Sequence, residues 1–131
     1  MRKIEFRGKV IDTKDGYFPD WYYGYYLIDL EGDRVRDFIY NCPTRLEVYP
    51  ETVGQFTGLK NKNGTEIYEG DVIKCLSYYT DTEYVLKIVY DSDTASFLGC
   101  WEYKDIYLHY LEDFEVIGNI HDNPELLTLN H

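Results

Sequence analysis

The chain has 131 residues, 44% of them hydrophobic, which suits one compact unit or two small, intimately packed ones with a real core. Its 13 Lys and Arg stand against 24 Asp and Glu, a formal net charge of −11, which argues against a phosphate-backbone binder because such proteins cluster basic residues. Cys42, Cys75 and Cys100 are odd in number and show no CxxC spacing, which speaks against a disulfide framework or a zinc site, and no apolar run approaches the ~18 residues of a membrane-spanning helix.

Taken in order, Ile4, Phe6, Gly8 and Val10 alternate with Glu5, Arg7 and Lys9, the pattern of a half-buried strand. This opening is charged, unlike the apolar core of a signal peptide, so an intracellular protein is expected. Asp12 to Gly16 is a turn cluster, and Pro19-Asp20 delays the next element. Trp21 to Leu30 predicts a strand with no polar face. Trp21, Tyr23, Tyr25 and Leu27 point one way, and Tyr22, Tyr26, Ile28 and Leu30 the other, so both faces need cover. Glu31-Gly32-Asp33 turns the chain into a return strand, Arg34 to Tyr40, with Val35 on a different face from Phe38 and Tyr40. A short strand holding Leu46, Val48 and Tyr49 precedes Pro50, and Glu51-Thr52-Val53 suits a helical turn.

The segment from Thr52 to Ile73 is backbone punctuation. Gly54, Gly58, Gly64 and Gly70 mark places where the chain bends or takes positive φ, and Asn63-Gly64 between Leu59 and Ile67 is a hairpin signal. Lys60, Asn61 and Lys62 then sit near a solvated tip. No Gly-Lys-Ser/Thr closes the segment, so it is not a phosphate loop. Beyond it, strands are expected at Val72 to Ser77, Glu83 to Tyr90, Ala95 to Trp101 and Phe114 to Ile117. Tyr84, Leu86, Ile88 and Tyr90 share one face of the second of these. Tyr78 to Thr82 reads as a loop, and residues 103–111 fit either a strand or a helical turn. Asn123-Pro124-Glu125 is a helix start, with Leu126 and Leu127 packing the last turn down. Five short strands after residue 66, separated by turn signals, suit a small barrel.

Four blocks carry a family resemblance. They are Phe6-Arg7-Gly8-Lys9, Trp21 to Leu27, Thr52 to Leu59 running into Asn63-Gly64 and Ile67 to Asp71, and Phe114 to Leu127. In this order they resemble the YopX-type proteins of phages and prophages, mainly those of Gram-positive bacteria. Asn41-Cys42-Pro43-Thr44 looks more elaborate than the family's usual connection there. The resemblance implies an SH3-like barrel in the C-terminal half, the cytoplasm of a bacterial host cell, and no assigned biochemical activity or catalytic residues. The fold expected is mainly β with very little helix. A small N-terminal antiparallel sheet (residues 1–50, aromatic) packs on a C-terminal SH3-like barrel region (residues 51–131) carrying the glycine-rich hairpin.

The residues that could bear chemistry read more simply as structure. Asp91 and Asp93 flank a turn, where carboxylates cap backbone amides more often than they form a catalytic dyad. His109, His121 and His131 show no ligand spacing, and Cys75 and Cys100 suit small core positions. No enzyme activity, cofactor or metal is expected. Weight falls on the aromatic run Trp21, Tyr22, Tyr23, Tyr25 and Tyr26. It is either a core strand between two layers or a protein-contact surface, since Tyr and Trp concentrate at interfaces. The 15 tyrosines suit either reading, since tyrosine favours strands and interfaces alike. The expected partners are a second copy in a homo-oligomer, or a host or phage protein, without a membrane. Base stacking of single-stranded nucleic acid on these rings, or mimicry of DNA by the acidic surface, is the alternative.

Overall fold

Alternation along the N-terminal segment becomes strand β1 (Phe6–Lys9), and the two-faced aromatic run becomes β2 (Trp21–Glu31). The computed structural model describes residues 3–77, 82–101, 104–108 and 111–130, and the chain divides into two units, Met1–Phe56 and Thr57–His131. Among the described residues the fold is mainly β, with its longest helical pieces the 3-10 turns Pro50–Thr52 and Pro124–Asn130.

In the first unit β3 (Arg34–Asn41) returns along β2, and β4 (Thr44–Glu47) adds to β3; all pairings are antiparallel. The connection at Asn41 to Thr44 is a tight turn, Asn41 opposite Thr44, with a cis Cys42-Pro43 bond. Strand β2 changes partner along its length. Residues Trp21 to Gly24 pair with β1, and Tyr25 to Glu31 pair with β3. The change falls at Gly24, where a Cβ would lie 2.2 Å from the Tyr40 carbonyl oxygen, so no side chain fits that approach. The sheet then curls back on itself. Val10 bridges Val48, Ile11 N–H donates to the Glu47 carbonyl at 3.0 Å, and Tyr49 N–H donates to the Lys9 carbonyl at 2.9 Å. This closure buries Val10, Ile39, Leu46 and Val48, each side chain worth about 1.5–3 kcal/mol when fully withdrawn from water. Below it, Thr52 in the first 3-10 turn accepts from Lys9 N–H at 2.9 Å and donates to the Tyr49 carbonyl at 2.6 Å.

Strand β5 (Gly54–Lys60) starts on β1, Phe6 opposite Gln55, and carries the chain into the second unit. There it turns into β6 (Glu66–Tyr68). Gly58, Gly64 and Gly70 have positive φ as expected, whereas Gly54 simply opens the strand. The loop is set by more than the Asn-Gly pair. Asn61 Oδ1 accepts from Asn63 N–H and Thr65 N–H, both at 2.9 Å, and Gly64 N–H returns to the Asn61 carbonyl.

The rest of the second unit is one antiparallel sheet. It holds β7 (Asp71–Ser77), β8 (Glu83–Asp91), β9 (Ser96–Trp101), β10 (Lys104–Tyr107) and β11 (Leu111–Asn119) in the order β10-β9-β8-β7-β11. Ile67, Ile73, Cys75, Leu86, Ile88, Leu108 and Leu111 form its core, with Tyr84, Phe97 and Phe114 packed against them. Tyr90, which by alternation shares a face of β8 with Leu86 and Ile88, stands half-exposed at the strand end with its ring edge-on to Phe97 at 5.2 Å. The ambiguous residues 103–111 hold strand β10, and β11 starts earlier than expected, at Leu111. The loop expected at residues 78–82 lies, but for its last residue, outside the described residues. Asn123 does open the last 3-10 turn, but its side chain works backwards: Oδ1 accepts from Asn119 N–H at 3.3 Å, while its carbonyl takes Leu126 N–H.

Candidate interaction surface

Strand β2 sorts its own aromatic residues. Trp21 is half-buried with its ring 4.9 Å from the Arg7 guanidinium. Tyr22 is half-buried, and its hydroxyl donates to the carbonyls of Asn41 and Thr44 at 3.3 and 3.4 Å. Tyr26 packs against Phe6 at 5.9 Å and donates its hydroxyl to the buried Asp37 carboxylate. Burial, helped by that bond, pushes the Tyr26 phenol up to about 12. These three rings are anchored within the unit. Tyr23 and Tyr25 are exposed, Tyr25 by 67%. The five residues therefore form no single surface.

The exposed surface runs farther along the hairpin than the aromatic run. On the face that carries Tyr26, Ile28 is 56% exposed, Leu30 71% and Val35 60%, with Leu30 directly opposite Val35. Three unpolar side chains side by side at a hairpin tip leave an apolar patch unpartnered. The opposite face is charged and internally balanced. Arg36 donates to Glu31 at 2.9 Å and to Glu47 at 3.1 Å, while Arg45 donates to Asp29 at 3.0 Å. Both guanidinium groups lie over the Phe38 ring, at 5.1 and 4.0 Å. The bond from Arg36 holds the Glu47 carboxyl below the usual carboxylate range.

Backbone pairing adds a second feature. Only Trp21 to Gly24 meet β1 on one side of β2. From Tyr25 to Glu31 the strand pairs with β3 alone, and among the described residues no strand occupies its other edge. A cleft of about 280 Å³ lies where this edge begins, lined by Ile4, Tyr25, Tyr40 and Cys42 among others. Ile28 and Leu30 were visible in the sequence as members of the strand. Val35 was visible only as a residue on the far face of the return strand from Phe38, and the open edge not at all, because strand partners are not written in the alternation.

Elsewhere the candidate residues serve turns and core. Asp91 accepts from Asp93 N–H at 3.1 Å and from the Thr94 hydroxyl at 2.8 Å. The backbone of His121 donates to Asn119 Oδ1 at 3.0 Å, whereas His109 and His131 lie outside the described residues. Among the described residues no three His, Cys, Asp or Glu side chains gather as metal ligands would. Burial pushes the Cys75 thiol up to about 12, and burial with a bond to Asp105 raises Cys100. Cys42 is exposed. Among the described residues no helix is long and apolar enough to cross a membrane.

These features define an acidic, mainly β protein of two units, the first closed on itself and bearing a strand that, among the described residues, has one edge unpaired from Tyr25 to Glu31. The chain belongs to the YopX family: the profile described as YopX protein matches residues 6–128. It is similar to a protein of Enterococcus faecalis seen in a crystal structure, at 24% identity and a TM-score of 0.49, covering 97% of this chain and 99% of that one. It is also similar to the crystal structure of YopX from Bacillus subtilis, at 14% identity and a TM-score of 0.45, covering 96% and 98%. No curated protein matches.

Proposed function

We propose that this chain is a phage- or prophage-encoded accessory protein of the bacterial cytoplasm that acts without catalysis, through protein contacts made by the β2–β3 hairpin. Membership of the YopX family supports the phage setting. The observation that carries the contact reading is the apolar patch of Ile28, Leu30 and Val35 beside the open edge of β2. Tyr25, on the other face of the same strand, adds an exposed ring of the kind that anchors interfaces. Its partner is a second copy or a host or phage protein.

The net charge of −11 motivates the other reading, a DNA mimic. On the hairpin and the adjoining β4, Asp29, Glu31 and Glu47 are engaged by Arg45 and Arg36, which leaves no bare acidic stripe along β2. That balance favours protein contact over mimicry and over single-stranded nucleic acid.

Affinity capture from host cells, with and without phage infection, tests the reading. The wild-type chain should retain a protein that Tyr25→Ser and Leu30→Ser chains lose. If nothing is enriched, and the purified protein turns over a metabolite or nucleotide panel, the chain is an enzyme and the reading falls.

A further inference from the structure

We infer that a second copy of this chain pairs with it edge to edge through residues 25–31 of β2, antiparallel, with Ile28 of each copy on the two-fold axis. The inference rests on the protein-contact reading and names its partner. An open edge presents a row of backbone donors and acceptors that another strand satisfies. Along Tyr25 to Glu31, rising ~3.4 Å per residue, every second residue turns its N–H and C=O to that edge, where no strand sits among the described residues.

Natural edges are guarded by Lys, Pro, bulges or bare charge. This stretch, Tyr25-Tyr26-Leu27-Ile28-Asp29-Leu30-Glu31, has no Lys and no Pro, and its register against β3 runs without a bulge. Its two carboxylates are held sideways by the chain's own arginines, Asp29 by Arg45 and Glu31 by Arg36. The edge is therefore long and straight, and each of its acids already has an arginine partner within the chain.

The same two acids fix the register. A two-fold axis perpendicular to the sheet keeps like faces together, so the pairing must centre on one residue. Centred on Ile28, Leu27 faces Asp29, Tyr26 faces Leu30 and Tyr25 faces Glu31, and every residue of the open stretch is paired. Centred on Asp29, that carboxylate meets its own copy; centred on Leu30, Asp29 meets Glu31. Like charges directly opposite destabilise a pair. Centring on Leu27 leaves Leu30 and Glu31 without partners. The Ile28 register also joins the two exposed patches, with Ile28 against Ile28 and Leu30 against Tyr26, flanked by Val35.

Cysteine scanning in a Cys42→Ser background tests this, since Cys42 is the exposed native thiol. Under mild oxidation Ile28→Cys should form a covalent dimer with itself. Leu27→Cys and Asp29→Cys should cross-link when mixed and at least tenfold less when each is alone. Val35→Cys, on the neighbouring strand, should remain uncross-linked. Thermal melts of each variant establish that it is folded, and the uncross-linked mass is measured by light scattering. A dimer that gives this pattern supports the pairing. A dimer whose position 28 does not cross-link overturns the edge pairing and leaves the contact reading standing. A monomer at every concentration overturns the pairing, and the capture experiment then decides the contact reading alone.

Discussion

Replacing Gly24 by Ala should strike the point at which β2 passes from β1 to β3. An added Cβ would sit 2.2 Å from the carbonyl oxygen of Tyr40 and 2.9 Å from its carbonyl carbon. Both are backbone atoms, so no rotamer change relieves the clash. The strands must part by about 1 Å to restore ordinary van der Waals separation. They would part where their ladder begins, at Tyr25 opposite Tyr40. Overpacking costs about 1–3 kcal/mol, and the upper end applies because the obstacle is main chain. For a unit of this size that lowers its melting temperature by roughly 10–20 °C. Gly64→Ala is the control. Gly64 has φ +85 and nothing within 4 Å of a Cβ, so the substitution brings backbone strain without a clash, about 1 kcal/mol. Heat denaturation followed by near-ultraviolet circular dichroism compares the two. If Gly24→Ala melts no lower than Gly64→Ala, the close approach of β2 to the Tyr40 carbonyl is wrong.

The remaining predictions concern titration, core and thiols. Tyr26, raised from 10.0 to about 12, should ionise late; its contribution to stability is complete below pH 10 and is lost as pH rises through 12. Tyr26→Phe should remove that late step from an alkaline absorbance titration, and a titration unchanged by the substitution would refute the burial assigned to it. Ile39→Ala, at a site with 0% exposure, should cost about 2–5 kcal/mol in urea unfolding. A loss below 1 kcal/mol would mean that the closed sheet is not the core. Thiol reagents at neutral pH should label exposed Cys42 quickly and buried Cys75 only on unfolding; prompt labelling of Cys75 would contradict the core of the second unit.

Much of the strand pattern was legible because period-two alternation survives wherever one face is buried. β1 shows it in its sequence and β8 in Tyr84, Leu86 and Ile88, whereas β9 was marked by the turn before it; burial itself breaks step, with Arg7 buried beside Gly8 and Val85 beside Leu86. β2 announced itself by having no polar face at all. The start of β11 was not legible. Register shifts between Glu112 and Glu115 and between Val116 and Gly118, with Asp113 at φ 55, break the alternation that would have marked Leu111 as strand. Closure of the first unit through Val10 and Val48 was hidden for another reason: it joins residues far apart in sequence, and local pattern carries no partner information. The aromatic run reads as a strand in the sequence, but how it divides does not show there. Which rings turn inward depends on what waits for them: Arg7 for Trp21, two carbonyls for Tyr22, and Asp37 for Tyr26. Likewise the acidity of β2 reads as an exposed charge until Arg36 and Arg45 are seen to engage it from β3 and β4.

The central claim is that the β2–β3 hairpin is a protein-contact surface whose partner is a second copy. Light scattering on a sizing column, across a dilution series of the wild-type chain and of Ile28→Lys, tests it most directly. Position 28 is 56% exposed, so the substitution leaves the unit folded while placing two ammonium groups against each other on the proposed axis. The account predicts twice the chain mass for the wild type and the single-chain mass for Ile28→Lys at equal concentration. It also predicts that added salt strengthens the wild-type dimer, because each copy carries a net charge of −11. A single-chain mass for the wild type at every concentration and salt level, or a dimer that Ile28→Lys leaves intact, would contradict it.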